Sequence, residues 1–310
     1  MITIPETDLV EHELCLGSNI FGSNADESQS HAVMDAYFSH GGNFIDTADV
    51  YNQWVEGHVG GESETIIGSW MKARSNRASM VIATKVSMMD RRPGLSAANI
   101  LAACEESLNR LQTDYIDLYY SHKDDETVPM EETLGAYGQL IAEGKVRYIA
   151  ASNFSPERLR LAMTISAENY LPSYCAVQEL YNLVDRTTYE GAMAQTVADL
   201  GISNIPFYGI ARGFLSGKYR PGVDEVDSKR AAGAREYATD KGFAIITAMD
   251  EISKAHNNAP LSAIALGWLR AQPTVSAPIA SARTVSQLEE IIQIVELNET
   301  EIAQLNSISA

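Results

Sequence analysis

The chain has few cysteines and no long uninterrupted apolar run. Its 310 residues include three cysteines, Cys15, Cys104 and Cys175, whose wide spacing matches neither a disulfide framework nor a metal-ligand motif. We therefore expect reduced, buried thiols and no metal. No apolar stretch approaches the length of a membrane span, and the N-terminal residues show no basic segment followed by an apolar one. These absences predict a cytoplasmic protein that does not associate with membranes.

Positive charge is also scarce. The chain carries 23 Lys and Arg residues against 41 Asp and Glu residues, which gives a formal net charge of −18. This excess of negative charge repels nucleic-acid phosphates and anionic membrane surfaces, so we expect neither as a partner. An anionic ligand would need local Lys, Arg or helix N-termini to bind.

Two common phosphate-binding motifs are missing. The segment Gly17–Gly22 reads GSNIFG, which is not the G-x-G-x-x-G turn of a doubly wound sheet, and no Walker loop is present. The chain instead alternates between strand-like and helix-like patterns throughout. Eight strand candidates lie at Leu14–Gly17 and then begin near Asn43, Met80, Tyr115, Tyr148, Tyr174, Ile202 and Val275. This alternation predicts an α/β fold, a single (β/α)8 TIM barrel domain over residues 1–310, with a doubly wound sheet as the alternative.

Helix signals lie between the strand candidates. Ala97–Leu111 places its apolar residues on one face at helical spacing. Ser155 followed by Pro156 predicts an N-cap and a first helical turn. Thr284–Gln287 has the form of a capping box and predicts the start of the last helix.

Two intervals between the predicted elements are long. Gly209–Thr274 contains a glycine-rich loop, the polar stretch Val223–Arg235 and two helical segments, and we interpret it as an elaborated loop after the seventh strand. Asn52–Gly61 is a second elaborated loop, and its Trp54 lies close to Tyr51 in sequence. Loops of this kind line substrate pockets in barrels. Trp54 is therefore a candidate for the pocket wall, and its position is equally consistent with a packing role.

Ionisable side chains follow three consecutive strand candidates. Asp46, Tyr51, Lys85 and His122 lie at or just after the ends of the runs Asn43–Ala48, Met80–Lys85 and Tyr115–His122. A charged residue at the end of a buried strand is costly unless it is paired or does chemistry. A tyrosine, a lysine and an aspartate at one mouth form a proton-donating device, because the lysine lowers the cost of charge on the phenol and the aspartate orients the lysine.

These residues and their surroundings resemble the aldo-keto reductase family, in particular its bacterial branch without a long C-terminal substrate loop. The resemblance covers nearly the whole chain. It rests on GGNFIDTADVY (41–51), IATK (82–85), LNRLQTDYIDLYYSH (108–122), GKVRYIAASNFSPERL (144–159), VQELYNL (177–183), GFLSGKY (213–219) and APIASARTVSQLEE (277–290).

The resemblance implies a (β/α)8 barrel that binds NADPH, or less often NADH, and reduces a small-molecule aldehyde or ketone to an alcohol. Tyr51 would then be the general acid, tuned by Lys85 and Asp46, and His122 would orient the carbonyl. Ser152, Asn153 and Gln178 match positions that hold the nicotinamide carboxamide. Phe207 matches the aromatic residue that stacks on the nicotinamide ring, and the backbone of Ile210–Leu215 would wrap the pyrophosphate. Further matched cofactor positions are Gly17, Ser18, Asn19, Tyr208, Gly209, Ile210, Arg212, Leu215 and Lys218.

The adenosine end departs from the family pattern. Ser281, Arg283, Gln287 and Glu290 lie in the matched segment, but Ala280 replaces a lysine common in one branch. Ile291 likewise replaces an asparagine. Arg283 supplies a cation suited to a 2′-phosphate, which favours NADP over NAD.

Two other functions share parts of this pattern. A nucleotide-sensing or auxiliary subunit would keep the fold and the cofactor but turn over slowly. A Schiff-base aldolase would use the strand-end Lys85 as a nucleophile. The spacing of Asp46 and Tyr51 argues against the aldolase, which has no need for both residues beside a segment that resembles a cofactor-binding one.

Overall fold

The computed structural model of the chain describes residues 1–222 and 231–310, so residues 223–230 of the polar stretch Val223–Arg235 lie outside the described residues. Two short strands, β1 (Ile2–Thr3) and β2 (Val10–Glu11), pair in an antiparallel hairpin. Within the described residues, eight further strands form one parallel sheet in the order β10-β3-β4-β5-β6-β7-β8-β9. They are β3 (Cys15–Gly17), β4 (Phe44–Asp46), β5 (Val81–Val86), β6 (Ile116–Ser121), β7 (Val146–Ser152), β8 (Tyr174–Gln178), β9 (Ser203–Asn204) and β10 (Ile279–Ala280).

Backbone hydrogen bonds bring the two edges of this sheet together. The Ile279 N–H donates to the Pro206 carbonyl at 2.8 Å, and the Asn204 N–H donates to the Thr274 carbonyl at 2.7 Å. The fold is therefore the predicted (β/α)8 barrel. The last strand begins later than predicted, because Val275 makes only an isolated bridge to Asn204 and the regular pairing with β3 starts at Ile279.

Helices flank the sheet, and the predicted helix over 97–111 is confirmed. Ser155 caps the helix that begins at Pro156, since its side chain accepts the N–H of Arg158, as predicted. The helices are α1 (Glu27–Ser39), α2 (Glu62–Arg74), α3 (Ala97–Leu111), α4 (Met130–Ala142), α5 (Pro156–Asn169), α6 (Ala192–Asp199), α7 (Ala231–Arg235), α8 (Asp240–Ala255), α9 (Leu261–Arg270), α10 (Val285–Ile291) and α11 (Glu299–Ser309).

The start of α10 differs from the prediction in two ways. Thr284 accepts the N–H of Gln287, but the Gln287 side chain accepts the N–H of Arg283 at 2.9 Å instead of closing a capping box on Thr284. The helix is not the last one either, because α11 follows it. Gln287 thereby fixes the backbone of Arg283.

Strand alternation decides which side chains face the barrel interior. Phe44, Val81, Ala83, Leu118 and Tyr120 belong to a buried cluster inside the barrel, which also contains Ile4 and Leu9 around the β1–β2 hairpin. Side chains two residues apart on a strand share a face. The ends of β4, β5 and β6 therefore present Asp46, Lys85 and His122 at the opposite mouth.

The three cysteines are free and buried, as the sequence predicts. Cys15 and Cys175 belong to the cluster inside the barrel, and Cys104 lies on α3. Among the described residues, no helix combines the length and apolar character that crossing a membrane requires.

Candidate active site

The four strand-end residues Asp46, Tyr51, Lys85 and His122, here called the tetrad, meet at this mouth. The Lys85 ammonium donates to Asp46 Oδ2 at 2.6 Å, to the Thr47 carbonyl at 2.8 Å and to Tyr51 Oη at 3.0 Å. The side chain of Lys85 is 0% exposed. All three of its N–H groups are thus engaged, and Lys85 is not among the described residues that line the cavity at this mouth, which argues against a Schiff base with a substrate carbonyl.

Tyr51 lies against the ion pair, and its hydroxyl also donates to Asp46 Oδ2 at 3.2 Å. The sequence predicted that Lys85 would lower the pKa of this phenol. Burial instead raises the pKa of Tyr51 well above its usual value, and the negative charge of Asp46 raises it further. Burial is the larger cause, and the Asp46 carboxylate, 2.6 Å from the ammonium and hydrogen-bonded to the phenol, opposes the effect of Lys85. Tyr51 is therefore protonated at neutral pH.

His122 stands beside Tyr51, with ring centroids 6.2 Å apart and ring planes at 75°. Burial, and secondarily the charge of Lys85, lowers the pKa of His122 well below its usual value. The imidazole is neutral at pH 7, so it carries one N–H and one acceptor nitrogen. Its Nδ1 is buried without a hydrogen-bond partner among the described residues, and the ring lines the cavity at the mouth.

The loop after β4 holds Tyr51 in place. Asn52 follows it with a left-handed backbone (φ 75°), and its buried side chain donates to the Phe21 carbonyl at 2.6 Å. Asparagine tolerates this conformation better than most residues do. The turn directs Tyr51 towards Lys85 while the chain continues into the predicted loop Asn52–Gly61.

A cavity of about 580 Å³, the tetrad cavity, opens above these residues. Asp46, Tyr51 and His122 line it, and so do the predicted cofactor residues Gly17, Asn19, Ser152, Asn153, Gln178, Phe207, Tyr208, Ile210, Arg212 and Ser281.

The three residues predicted to hold a carboxamide are linked to the tetrad. Gln178 Nε2 donates to Asp46 Oδ1 at 2.8 Å, and Asn153 Nδ2 donates to the His122 carbonyl at 2.9 Å. The buried Ser152 hydroxyl donates to the Gln178 carbonyl at 2.7 Å. A group bound by these amides would be held in register with Tyr51.

A second cavity of about 280 Å³, the basic cavity, adjoins the first. Ile210, Arg212 and Ser281 line both, so the two form one extended cleft. The other predicted cofactor residues on its wall are Lys218, Arg283, Gln287 and Glu290.

The charge of the basic cavity opposes that of the whole chain. Among the described residues on its wall are three cations, Arg212, Lys218 and Arg283, and one carboxylate, Glu290, in a protein of net charge −18. The hydroxyl of Ser262, a residue 1% exposed, also lines the cavity and has no hydrogen-bond partner within residues 1–222 and 231–310. Cations together with an unpaired buried hydroxyl suit a phosphorylated ligand.

Comparisons with known proteins agree with this geometry. The sequence model of the aldo/keto reductase family matches residues 13–310. The chain belongs to this family. Aldo-keto reductases generally use nicotinamide cofactors, usually NADPH, and act on small-molecule carbonyl compounds. The chain is accordingly a carbonyl-reducing oxidoreductase.

Three relatives illustrate the similarity. The protein named "Uncharacterized oxidoreductase YrpG" of Bacillus subtilis (strain 168) is 32% identical over 94% of this chain and 90% of its own length. "Protein tas" of Escherichia coli (strain K12) is 29% identical over 98% of this chain and 96% of its own. The "L-glyceraldehyde 3-phosphate reductase" of Escherichia coli (strain K12) is 28% identical over 94% of this chain and 87% of its own.

Three predicted cofactor residues of this aldo-keto reductase lie behind the cavity walls. The buried Ser18 hydroxyl donates to the Asp46 carbonyl at 2.7 Å and so supports the tetrad instead of lining the cleft. Gly209 packs against Leu266, and a Cβ on it would lie 3.1 Å from the Leu266 side chain. Leu215 is 0% exposed in the core.

Sequence reasoning also missed residues that line the cleft. Ser262 is the second residue of α9, directly after Pro260 and Leu261. A serine in the first turn of a helix beginning at proline was the available signal, but such serines are common. The other missed residues of the basic cavity are Ile20, Asn24 and Ser216, whereas Gly213 lies within the predicted pyrophosphate segment Ile210–Leu215.

Proposed function

We propose that the chain is an NADP(H)-dependent reductase of aldehydes or ketones in which Tyr51 is the general acid. One observation carries this proposal. The Tyr51 hydroxyl, hydrogen-bonded to a buried Lys85–Asp46 pair, faces a cavity that continues into a second cavity with three cations on its wall. The cleft therefore offers a proton donor at one end and phosphate-binding groups at the other.

The donor groups of the cleft fit an extended dinucleotide. The amides of Asn153 and Gln178, with the Ser152 hydroxyl, suit a carboxamide, and Phe207 offers an aromatic face for stacking. Arg283 and its neighbours in the basic cavity suit a 2′-phosphate. When bound, the nicotinamide supplies the hydride for the carbonyl carbon.

Proton transfer falls to the tetrad. The high pKa of Tyr51 keeps the phenol protonated, so it is ready to donate a hydrogen bond and then its proton to the carbonyl oxygen. The Lys85 N–H at 3.0 Å stabilises the phenolate that remains, and Asp46 holds Lys85 in place. The neutral His122 offers a second hydrogen bond to the same oxygen.

Replacing Tyr51 by phenylalanine tests the proposal. Because the variant keeps the ring but loses the proton, we expect kcat for NADPH-dependent reduction of an aldehyde panel to fall by about 10²- to 10⁴-fold. Nucleotide binding, measured by fluorescence titration, should be retained. Tyr170→Phe is the matched control, since that side chain is 97% exposed.

Undiminished turnover by Tyr51→Phe would show that Tyr51 is not the general acid. Tight NADPH binding by the wild type without turnover of any carbonyl would favour a nucleotide-sensing subunit.

Replacing Arg283 tests the coenzyme preference. We expect Arg283→Ala to lower kcat/KM for NADPH by roughly 10- to 100-fold and to leave kcat/KM for NADH unchanged. An equal loss with both coenzymes would argue against a 2′-phosphate contact.

A further inference from the structure

The outer wall of the tetrad cavity, on the side of Tyr51, is apolar and aromatic. Trp54 is 61% exposed, and its ring lies edge-on to Tyr51 with centroids 6.3 Å apart. Met88, 42% exposed, and the buried Val50 line the same cavity. A bound carbonyl compound would therefore place its body against aromatic and thioether groups.

One carboxylate on this wall is not neutralised. Asp90 lines the tetrad cavity, and no Lys or Arg among the described residues forms an ion pair with it. The two arginines next to it in sequence are engaged elsewhere, since Arg91 and Arg92 bind Glu106 Oε2 at 2.5 and 3.0 Å. Asp46, the other carboxylate among the described residues that line the cavity, is paired with Lys85.

Hydrogen bonds fix the loop that carries Asp90. The Asp90 N–H donates to Gln53 Oε1 at 3.2 Å, which ties the loop to the segment after Tyr51. Within the loop, the Arg92 N–H donates to the Met89 carbonyl at 2.9 Å, and the Gly94 N–H to the Ser87 carbonyl at 2.8 Å. These hydrogen bonds fix the backbone of Asp90 at the rim of the cavity.

Arg212, the one Lys or Arg among the described residues that line the tetrad cavity, is engaged away from Asp90. Arg212 lies on the side shared with the basic cavity, where it stacks over the Tyr208 ring, 5.1 Å from the ring centroid, and faces Glu236 at 3.7 Å. The substrate side therefore carries a net negative charge inside a chain whose overall charge is −18. Asp90 is exposed at the rim of the cavity, so its field reaches an entering ion partly through solvent and weakens as the ionic strength rises.

We propose that this site accepts uncharged or cationic carbonyl compounds with an apolar body, and that Asp90 disfavours carboxylated and phosphorylated ones. This inference rests on the proposed reductase function. Asp90 is assigned as a specificity-determining residue that acts on the charge of the substrate at a distance from the reacting carbonyl.

The test compares kcat/KM for benzaldehyde, 4-carboxybenzaldehyde and 4-(trimethylammonio)benzaldehyde in the wild type, Asp90→Asn and Asp90→Lys. Each value is divided by that of benzaldehyde with the same enzyme, so the intrinsic reactivity of each aldehyde cancels between variants. We expect the carboxylate ratio to rise roughly three- to tenfold in Asp90→Asn and further in Asp90→Lys, mainly through KM. The trimethylammonio ratio should fall in the same order.

Glu168→Gln is the matched control for Asp90→Asn, because it makes the same change in net charge at an exposed position near the C-terminal end of α5, away from the mouth. Ratios that stay constant in both Asp90 variants, or that move equally in Glu168→Gln, would overturn the inference and leave the reductase function intact. If the wild type reduces none of the three aldehydes, the proposed function fails first and the inference with it.

Discussion

At the scale of single residues, the Lys85–Asp46 pair dominates the site. Both side chains are almost fully enclosed, at 0% and 3% exposure, and they are 2.6 Å apart. A buried ion pair contributes little net stability, because desolvation offsets the attraction, but removing one partner leaves a buried charge uncompensated. The pair contacts Tyr51 directly, since Lys85 Nζ lies 3.0 Å and Asp46 Oδ2 3.2 Å from the phenol oxygen, and its proposed role is exerted through these contacts.

Replacing one partner of the Lys85–Asp46 pair should destabilise the fold more than replacing both. We expect Asp46→Asn to lower the free energy of unfolding by about 3–5 kcal/mol, because Lys85 stays buried and charged. The double variant Asp46→Asn, Lys85→Met should regain most of that stability but no activity. Urea unfolding and NADPH oxidation, measured on both variants, decide the point. A single variant as stable as the wild type would show that Lys85 loses its charge or finds another partner.

At the scale of elements, α2 packs on α3 through Gly68. A Cβ on Gly68 would lie 2.3 Å from the Arg110 carbonyl oxygen, so the two helix backbones can approach this closely only because Gly68 has no side chain. The same approach places Arg110 Nε 2.6 Å from Glu64 Oε2, and Glu64 Oε1 accepts the Thr84 hydroxyl at 2.6 Å. Gly68 thus sets the spacing that joins α2, α3 and β5.

Adding one methyl group here should separate these elements. We expect Gly68→Ala to lower the free energy of unfolding by about 1–3 kcal/mol, because the overlap outweighs the gain in helix propensity. Gly135→Ala in α4 is the matched control, since no atom lies within 4 Å of its added Cβ. That variant should gain up to about 1 kcal/mol. Urea unfolding of both variants measures these changes. A shift of the two free energies of unfolding in the same direction would contradict the prediction.

At the scale of the whole molecule, buried carboxyls tie stability to pH. Burial raises the pKa of Asp49 from 3.8 to about 7 and that of Glu179 from 4.5 to about 7. Asp49 is 1% exposed, and neither of its carboxylate oxygens has a hydrogen-bond partner in the part of the chain that the structure describes. The folded state therefore binds protons that the unfolded state releases, which stabilises the fold below pH 4 and ceases to do so as pH rises through 7.

The contribution of each carboxyl should decline by about 3–4 kcal/mol between pH 4 and 8. The lowered pKa values of His12 and His122 act in the opposite direction below pH 6.5, so the comparison must be between variants. We expect the free energy of unfolding of the wild type, minus that of Asp49→Asn, to fall as pH rises from 5 to 8. Glu179→Gln should behave alike. Urea unfolding of the wild type and both variants across this pH range tests the prediction. A difference in the free energy of unfolding that grows with pH would refute it.

The sequence alone determined the barrel, seven of its eight strand positions within a few residues, and the four members of the tetrad. These features follow from local patterns, since strand alternation and strand ends decide which face Asp46, Lys85 and His122 take. The last strand was misplaced because Val275 is apolar and β-branched, like a strand residue. Its pairing partner was decided by closure of the sheet around Ile279.

The tertiary structure decided what those residues experience. Whether Lys85 lowers the pKa of Tyr51 depends on how closely Asp46 approaches both, and burial reverses the predicted direction. Only the folded chain shows that Asp90 lines one cavity without an ion-pair partner among the described residues. It also shows that the buried Ser262 hydroxyl lines the other cavity and lacks a hydrogen-bond partner within the same residues. Charge compensation and burial arise from contacts between residues distant in sequence, so no local pattern encodes them.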